Sequence, residues 1–317
     1  MAKLNLRNQS TIATSVEING IGVHSGKPAT MTLHPSDANT GVVFSRTDLS
    51  PDVSGDIKAS YENIVATELC TVIGTSRENN VATIEHLMAA LTGMAIDNVL
   101  IEIDGPEVPV MDGSAVAFVA AIRQAGTKIL PAARRYVEVI KPIRIEQGQS
   151  HATLSPHAGS YFDTTIEFDT DLIGVQHIGL ELTVASFEQE LARARTFGRV
   201  EDVEKLWALG YARGSSLENS VAIAGDRVLN PEGTRWPDEF VRHKALDAVG
   251  DLALAGYPIL GAYRSYRGGH KVNAMMVQAL MEDKSSWRMV EEAAQRGTGH
   301  AALTPAIVQP AFDAAKN

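Results

Sequence analysis

The segment GTKILPAARR, residues 126–135, is where the fold becomes readable, because a glycine, a proline and small residues there interrupt strong patterns on both sides. Upstream, β-branched content and alternation mark strands over 11–18, 30–33 and 41–45, the last two separated by the turn-forming string PSDAN. A helical spacing then runs over 83–92, a strand over 98–103 and a second helix from about 114 to 124. Downstream the same order returns. Strands are expected over 136–145, 152–154 and 161–169, then a helix over 238–255, a strand over 259–265 and a helix over 272–281. The strings TMTLHP at 30–35 and HATLSP at 151–156 match only with a one-residue slip, which is weak, but the repeated order of strands, helix, strand, helix is stronger. It reads as an internal duplication: an α+β protein of two similar two-layer α/β sandwich domains, 1–128 and 136–317, with GTKILPAARR as the joint. Each half carries an insertion that the other lacks, near 50–80 and 171–213.

The helix over 238–255 is the segment richest in chemistry. His243, Asp247 and Asp251 recur at i, i+4 and i+8 and share one face of an otherwise apolar helix. Buried carboxylates cost several kcal/mol unless paired or bound to a metal, so His243 and Asp247 form a candidate ligand pair. A His and an Asp one turn apart also make an ordinary surface ion pair, and alone that is the commoner outcome. The corresponding helix of the first half changes the weighting, since it carries Glu85-His86 near its start and His86 matches His243 in repeat position. Two related helices facing each other would bring His86, His243 and Asp247 together and leave one position of a tetrahedral ion open. Zinc suits mixed imidazole and carboxylate ligands, and iron(II) is compatible with them. Glu85 diverges from His86 by roughly 100° around the helix, so it cannot easily share the ion but could stand beside it as a base; the plainer reading is an acid favoured by the helix N-terminus followed by an incidental His.

A second cluster is YRGGHKVN, 266–273, where two glycines precede His270 at a strand-to-helix turn. Arg264, Arg267 and Lys271, with Arg242 and Lys244, suggest an anionic substrate group such as phosphate, against the plainer reading of a solvated basic loop. RTFG, 195–198, offers an uncharged Thr196 beside Phe197, either loop packing or a donor to a reacting oxygen.

Composition narrows the function classes. The 317 residues are 44% hydrophobic and 21% charged, sufficient for a real core. No run of 18 apolar residues occurs and MAKLNLRNQS lacks the apolar stretch of a secretory signal, so a cytoplasmic protein without a transmembrane segment is expected. A single cysteine, Cys70, excludes a disulfide framework, and the formal charge of -10 argues against nucleic acid as a partner. GIGVHSGKP at 20–28 fits neither the P-loop nor the dinucleotide fingerprint, and neither HExxH nor GxSxG occurs.

Together with GIGVHSGKPATMTLHP (20–35), TIEHLMAAL (83–91), IDNVLIEIDGPEVPVMDGSA (96–115), ARTFG (194–198), RVLNPEG (227–233), DEFVRHKALDAVGDL (238–252) and GGHKVN (268–273), these features resemble the zinc-dependent UDP-3-O-acyl-N-acetylglucosamine deacetylases of lipid A synthesis along nearly the whole chain. The resemblance implies two α+β domains with the active site between them and a monomer acting on an acylated UDP-sugar. It implies that His86, His243 and Asp247 hold Zn²⁺ and that Glu85 activates the bound water. Lys244 and Thr196 would stabilise the oxyanion, while His270, oriented by Asp251, would protonate the leaving amine. His24, Phe197 and Arg267 carry over as substrate-site residues, Arg267 standing where the family often has lysine. The same metal site on another acetamido sugar, or a sugar-nucleotide binder with a vestigial site, are the competing readings.

Overall fold

The computed structural model describes residues 7–53 and 55–291, so the expected domain ends at 1 and 317 lie outside the described residues. In PATMTLHP, Ala29, Met31 and Leu33 alternate with more exposed positions, which turns one face of the strand Pro28–Pro35 onto the core. It is the second strand of a five-stranded sheet in the order Val16–Ile21, Pro28–Pro35, Val99–Ile103, Val42–Arg46, Ile57–Lys58. Successive pairings in that order are antiparallel, antiparallel, parallel and antiparallel. A second sheet contains Ile143–Gln147, Ser150–Ser155, Ile259–Tyr266, Ser160–Glu167 and Val175–Glu181, paired in the same sequence of senses. TMTLHP and HATLSP thus fall on equivalent strands. Arg135–Val139 and Trp287–Glu291 extend the second sheet beside the start of Ile259–Tyr266.

Four sequence expectations are corrected. The joint is no interruption, because Thr127–Ala133 is a strand antiparallel to Asn8–Ile12, and a register shift between Asn8 and Ser10 accommodates Pro131, which has no N–H to give the ladder. The run 11–18 divides into Asn8–Ile12 and Val16–Ile21, which belong to different sheets. The run 136–145 divides at Lys141-Pro142 into Arg135–Val139 and Ile143–Gln147. Val175–Glu181, placed inside the second insertion, is a main-sheet strand with mostly exposed or half-buried positions, and Ile57–Lys58, inside the first, is the edge strand of the five-stranded sheet. The insertions themselves fold as small sheets. The first comprises Ile64–Ala66, Val72–Gly74 and Asn80–Val81; the second comprises Phe197–Arg199, Val221–Ala224 and Arg227–Val228, and runs beyond 213.

The longer helices are α1 (Glu85–Gly93), α2 (Val116–Ala125), α3 (Val200–Ala208), α4 (Glu239–Leu252) and α5 (His270–Glu282). In α1 every residue but Thr92 is buried, and in α4 every residue but Arg242 and Lys244. A helix covered on all sides belongs to the interior of the molecule. α1 packs against α4, α2 lies on Val16–Ile21, and α5 lies on Ile143–Gln147 and Ser150–Ser155. One hydrophobic cluster consequently runs from Met31 and Leu33 through Leu87, Leu246 and Val249 to Leu154, Tyr263 and Val277. Gly250 sets the closeness of α1 and α4: a Cβ there would lie 2.0 Å from the Glu85 carbonyl oxygen. No helix among the described residues is long and apolar enough to cross a membrane.

Candidate active site

The crossing of α1 and α4 brings two histidines and a carboxylate to one point. His243 and Asp247 lie one turn apart on α4, and His86 arrives from the first turn of α1, its ring 4.9 Å from that of His243 and steeply tilted to it. The Asp247 Oδ1 atom lies 3.3 Å from His243 Nε2 and 3.6 Å from His86 Nε2. It is buried and has no hydrogen-bond partner among the described residues. Four ligands at tetrahedral zinc distances would stand about 3.4 Å apart, so these separations fit a shared ion better than a hydrogen-bonded cluster. Burial pushes His86 down to about 3, with His243 adding to the effect, and also lowers His243. Both imidazoles therefore stay neutral with a lone pair to offer. The Nδ1 atom of His243 faces the Ala194 carbonyl oxygen at 3.0 Å, which leaves Nε2 for a ligand. Burial opposes ionisation of Asp247, yet the Lys244 ammonium beside it holds its carboxyl well below the usual range. These three groups, whose ligand atoms all lie within 4.8 Å of one another, can hold a metal ion.

Beside them lies an acid–base pair. Glu85 opens α1 with its carboxylate buried; Oε2 accepts the Thr71 N–H at 3.0 Å, and Oε1 lies 3.8 Å from His270 Nε2. Burial pushes Glu85 up to about 7, with His270 opposing the shift and Asp251 and Asp247 reinforcing it. His270 begins α5 after the extended Gly269. Burial and the positive end of the helix both disfavour its charge, but the Asp251 and Glu85 carboxylates outweigh them and raise it to about 9. The Nδ1 atom of His270 is 2.9 Å from Asp251 Oδ2. Of the three polar residues on one face of α4, two thus meet the metal group and the third serves His270.

RTFG, ambiguous in sequence, is an anchored wall of this site. The buried guanidinium of Arg195 binds Glu239 at the start of α4 (3.0 Å), Glu232 (2.6 Å) and the Gly233 carbonyl. Phe197 then packs edge-on against Phe240 and His243, under the Lys244 ammonium at 5.6 Å. Lys244 donates to Asp247 Oδ2 at 2.9 Å, and although its partial burial disfavours the charge, Asp247 raises its pKa, so the ammonium persists. Thr196 donates its N–H to the Gly113 carbonyl, and its hydroxyl makes no hydrogen bond among the described residues.

The glycine-rich loop 22–27 wraps a carboxylate. His24 N–H and Ser25 N–H each donate to Glu107 at 2.8 Å, and a Cβ at Gly22 would stand 2.1 Å from Glu107 Oε2. Thr83, at φ 57° an uncommon conformation for a β-branched residue, is held by its own hydrogen bond to Glu107. His24 meets Tyr211 edge-on, its Nδ1 buried without a hydrogen-bond partner among the described residues, and burial lowers its pKa, with Glu107 opposing and His270 adding to the shift.

The basic cluster is only partly as expected. Arg242 is neutralised by Asp238 and Glu190, and Arg264 lies near Asp163 and over the Tyr161 ring. The Arg267 guanidinium donates to Gln149 Oε1 at 2.8 Å and makes no other hydrogen bond or ion pair among the described residues. Cys70 is buried with its thiol pushed up to about 12, chiefly by that burial, and is no nucleophile at neutral pH. Thr71, Glu107, Arg195, Glu239 and Asn273 were not singled out in the sequence as site residues. Only Glu239, an acid opening a helix, had a local signal.

Residues 9–282 match the family model described as LpxC: UDP-3-O-acyl N-acetylglycosamine deacetylase. Proteins named UDP-3-O-acyl-N-acetylglucosamine deacetylase from Brucella ovis, Brucella abortus and Brucella melitensis are each 45% identical to the chain over 284 residues, 89% of this chain and 98% of the relative. With the fold and the buried site described above, the chain belongs to the UDP-3-O-acyl N-acetylglycosamine deacetylase family.

Proposed function

We propose that the chain hydrolyses the acetamide of UDP-3-O-acyl-N-acetylglucosamine, releasing acetate and the free 2-amine in lipid A biosynthesis. The observation that carries this reading is the buried His86, His243 and Asp247 group directly beside the Glu85–His270 pair, in a chain of this family. Zn²⁺ is the ion we assign to the three ligands; the donor set also accommodates Fe²⁺. When bound, it supplies Lewis acidity, polarising the amide carbonyl and lowering the pKa of water towards ~7.

The remaining chemistry belongs to the chain. Glu85 accepts the proton of the attacking water at Oε1, its other oxygen being held by Thr71. Lys244 and the free Thr196 hydroxyl stabilise the negative charge that develops on the carbonyl oxygen. His270, protonated at neutral pH and steadied by Asp251, gives its Nε2 proton to the nitrogen as the C–N bond breaks. His24 and Phe197 line the substrate side. Arg267 and Lys271, without carboxylate partners among the described residues, supply positive charge for the diphosphate. The matching strand order of the two sheets supports an internal duplication with domains 1–128 and 136–317 and the site between them.

Acetate release from the acylated UDP-sugar and from UDP-N-acetylglucosamine, each before chelation, after it and after adding back zinc, tests the proposal. The expected result is turnover that favours the acylated substrate, disappears on chelation and returns with zinc. Acetate release unaffected by thorough chelation, or none from the acylated substrate, would overturn it.

A further inference from the structure

Thr71 occupies the joint between the two proton-handling groups, 180 positions from Asp251 in sequence. Its N–H donates to Glu85 Oε2 at 3.0 Å, and its carbonyl accepts the Ile84 N–H at 3.4 Å, so the backbone of residue 71 pins the start of α1. Its hydroxyl donates to Asp251 Oδ1 at 2.6 Å. The other oxygen of Asp251 accepts from His270 Nδ1 at 2.9 Å and from Asn273 Nδ2 at 2.8 Å, and Asn273 Oδ1 accepts in turn from Tyr263 at 2.5 Å. Thr71 is 1% exposed, so water cannot replace these bonds. A carboxylate can rotate about its terminal bond, and a single imidazole contact would not stop it. Two further donors, one on each oxygen, fix the plane of the Asp251 carboxylate and with it the direction of the His270 ring.

We propose that Thr71 is a positioning residue for the deacetylation, its hydroxyl aiming His270 through Asp251 while its backbone aims Glu85, so that one residue sets the geometry of both. This rests on the acid and base roles proposed above. Thr71 touches no reacting atom. Removing its hydroxyl should therefore slow the chemical step and leave binding alone.

The test compares Thr71→Val, close in shape but lacking the donor, with Thr71→Ser, which keeps it, in the zinc-loaded full chain. Charge-assisted hydrogen bonds of this kind correspond to rate losses on the order of 10- to 100-fold in kcat, with KM held within about twofold. Thr71→Ser should recover most of that rate. In an Asp251→Ala background, Thr71→Val should add less than about threefold, because the hydroxyl then has nothing to act through. Thr71→Ala serves the same comparisons if the valine variant does not fold. Wild-type kcat in Thr71→Val, a serine variant as slow as the valine one, or losses that multiply fully in the double variant would overturn the proposal. Glu85→Gln, assayed alongside, separates the two levels: inactive Glu85→Gln with fully active Thr71→Val sinks Thr71 alone, whereas a fully active Glu85→Gln sinks the acid–base assignment beneath it.

Discussion

Glu85 and His270 face each other at 3.8 Å with protonation states set by opposite causes, burial for the acid and carboxylate neighbours for the imidazole. If Glu85 is the base, Glu85→Gln should retain its metal and lower kcat by roughly 10²- to 10⁴-fold, since an amide cannot accept the proton; elemental analysis beside turnover checks both parts. The pH dependence follows from the same pair. Glu85, raised to about 7, must be ionised, so activity grows as pH rises through its pKa, and a bound cation would move that limb lower. If His270 is the acid, it must be protonated, and activity is then lost as pH rises through its value of about 9. kcat/KM should be bell-shaped, and Asp251→Asn, which removes the largest charge favouring the imidazolium, should move the alkaline limb down towards the ~6.5 of a free histidine. An unmoved limb in that variant would take His270 out of the acid role.

At the scale of elements, the site depends on how closely α1 and α4 approach. The glycine at 250 permits it, since a methyl group there would meet the Glu85 backbone at 2.0 Å and the Ala89 nitrogen at 3.1 Å. Gly250→Ala should cost about 1–3 kcal/mol in thermal or denaturant unfolding and weaken metal binding by spreading His86 from His243. Unchanged stability and affinity would mean that the helices do not need this contact. The helices and their polar stripe were legible in the sequence because an apolar helix carrying His243, Asp247 and Asp251 leaves few explanations for its buried charge. That Asp251 serves His270 instead of the metal was given only by family resemblance, because the i+8 spacing is the same for either role. Val175–Glu181 was misassigned for a related reason: a half-exposed strand with alternating polar residues lacks the apolar signal that marked its neighbours. The break at Pro142 turned one continuous-looking pattern into two strands, and periodicity cannot see which sheet a strand joins.

For the whole molecule, what matters is that no half holds the site by itself. His86 and Glu85 come from residues before the strand Thr127–Ala133, and His243, Asp247 and His270 from after it. The long-range supports follow the same division, with Thr71 reaching Asp251 and Gly113 receiving Thr196. Such pairings across the chain carry no local signature, so Thr71 and Arg195 became visible as supports only once the chain was folded. Whether His86, His243 and Asp247 together hold one divalent ion can be read from metal content, by elemental analysis, of the wild-type chain beside His86→Ala, His243→Ala and Asp247→Ala. About one zinc or iron(II) ion per wild-type chain is expected, and substoichiometric metal in every variant, whichever half it alters, because each removes one of three protein ligands. Full retention of tightly bound metal by any one of the three folded variants would contradict it.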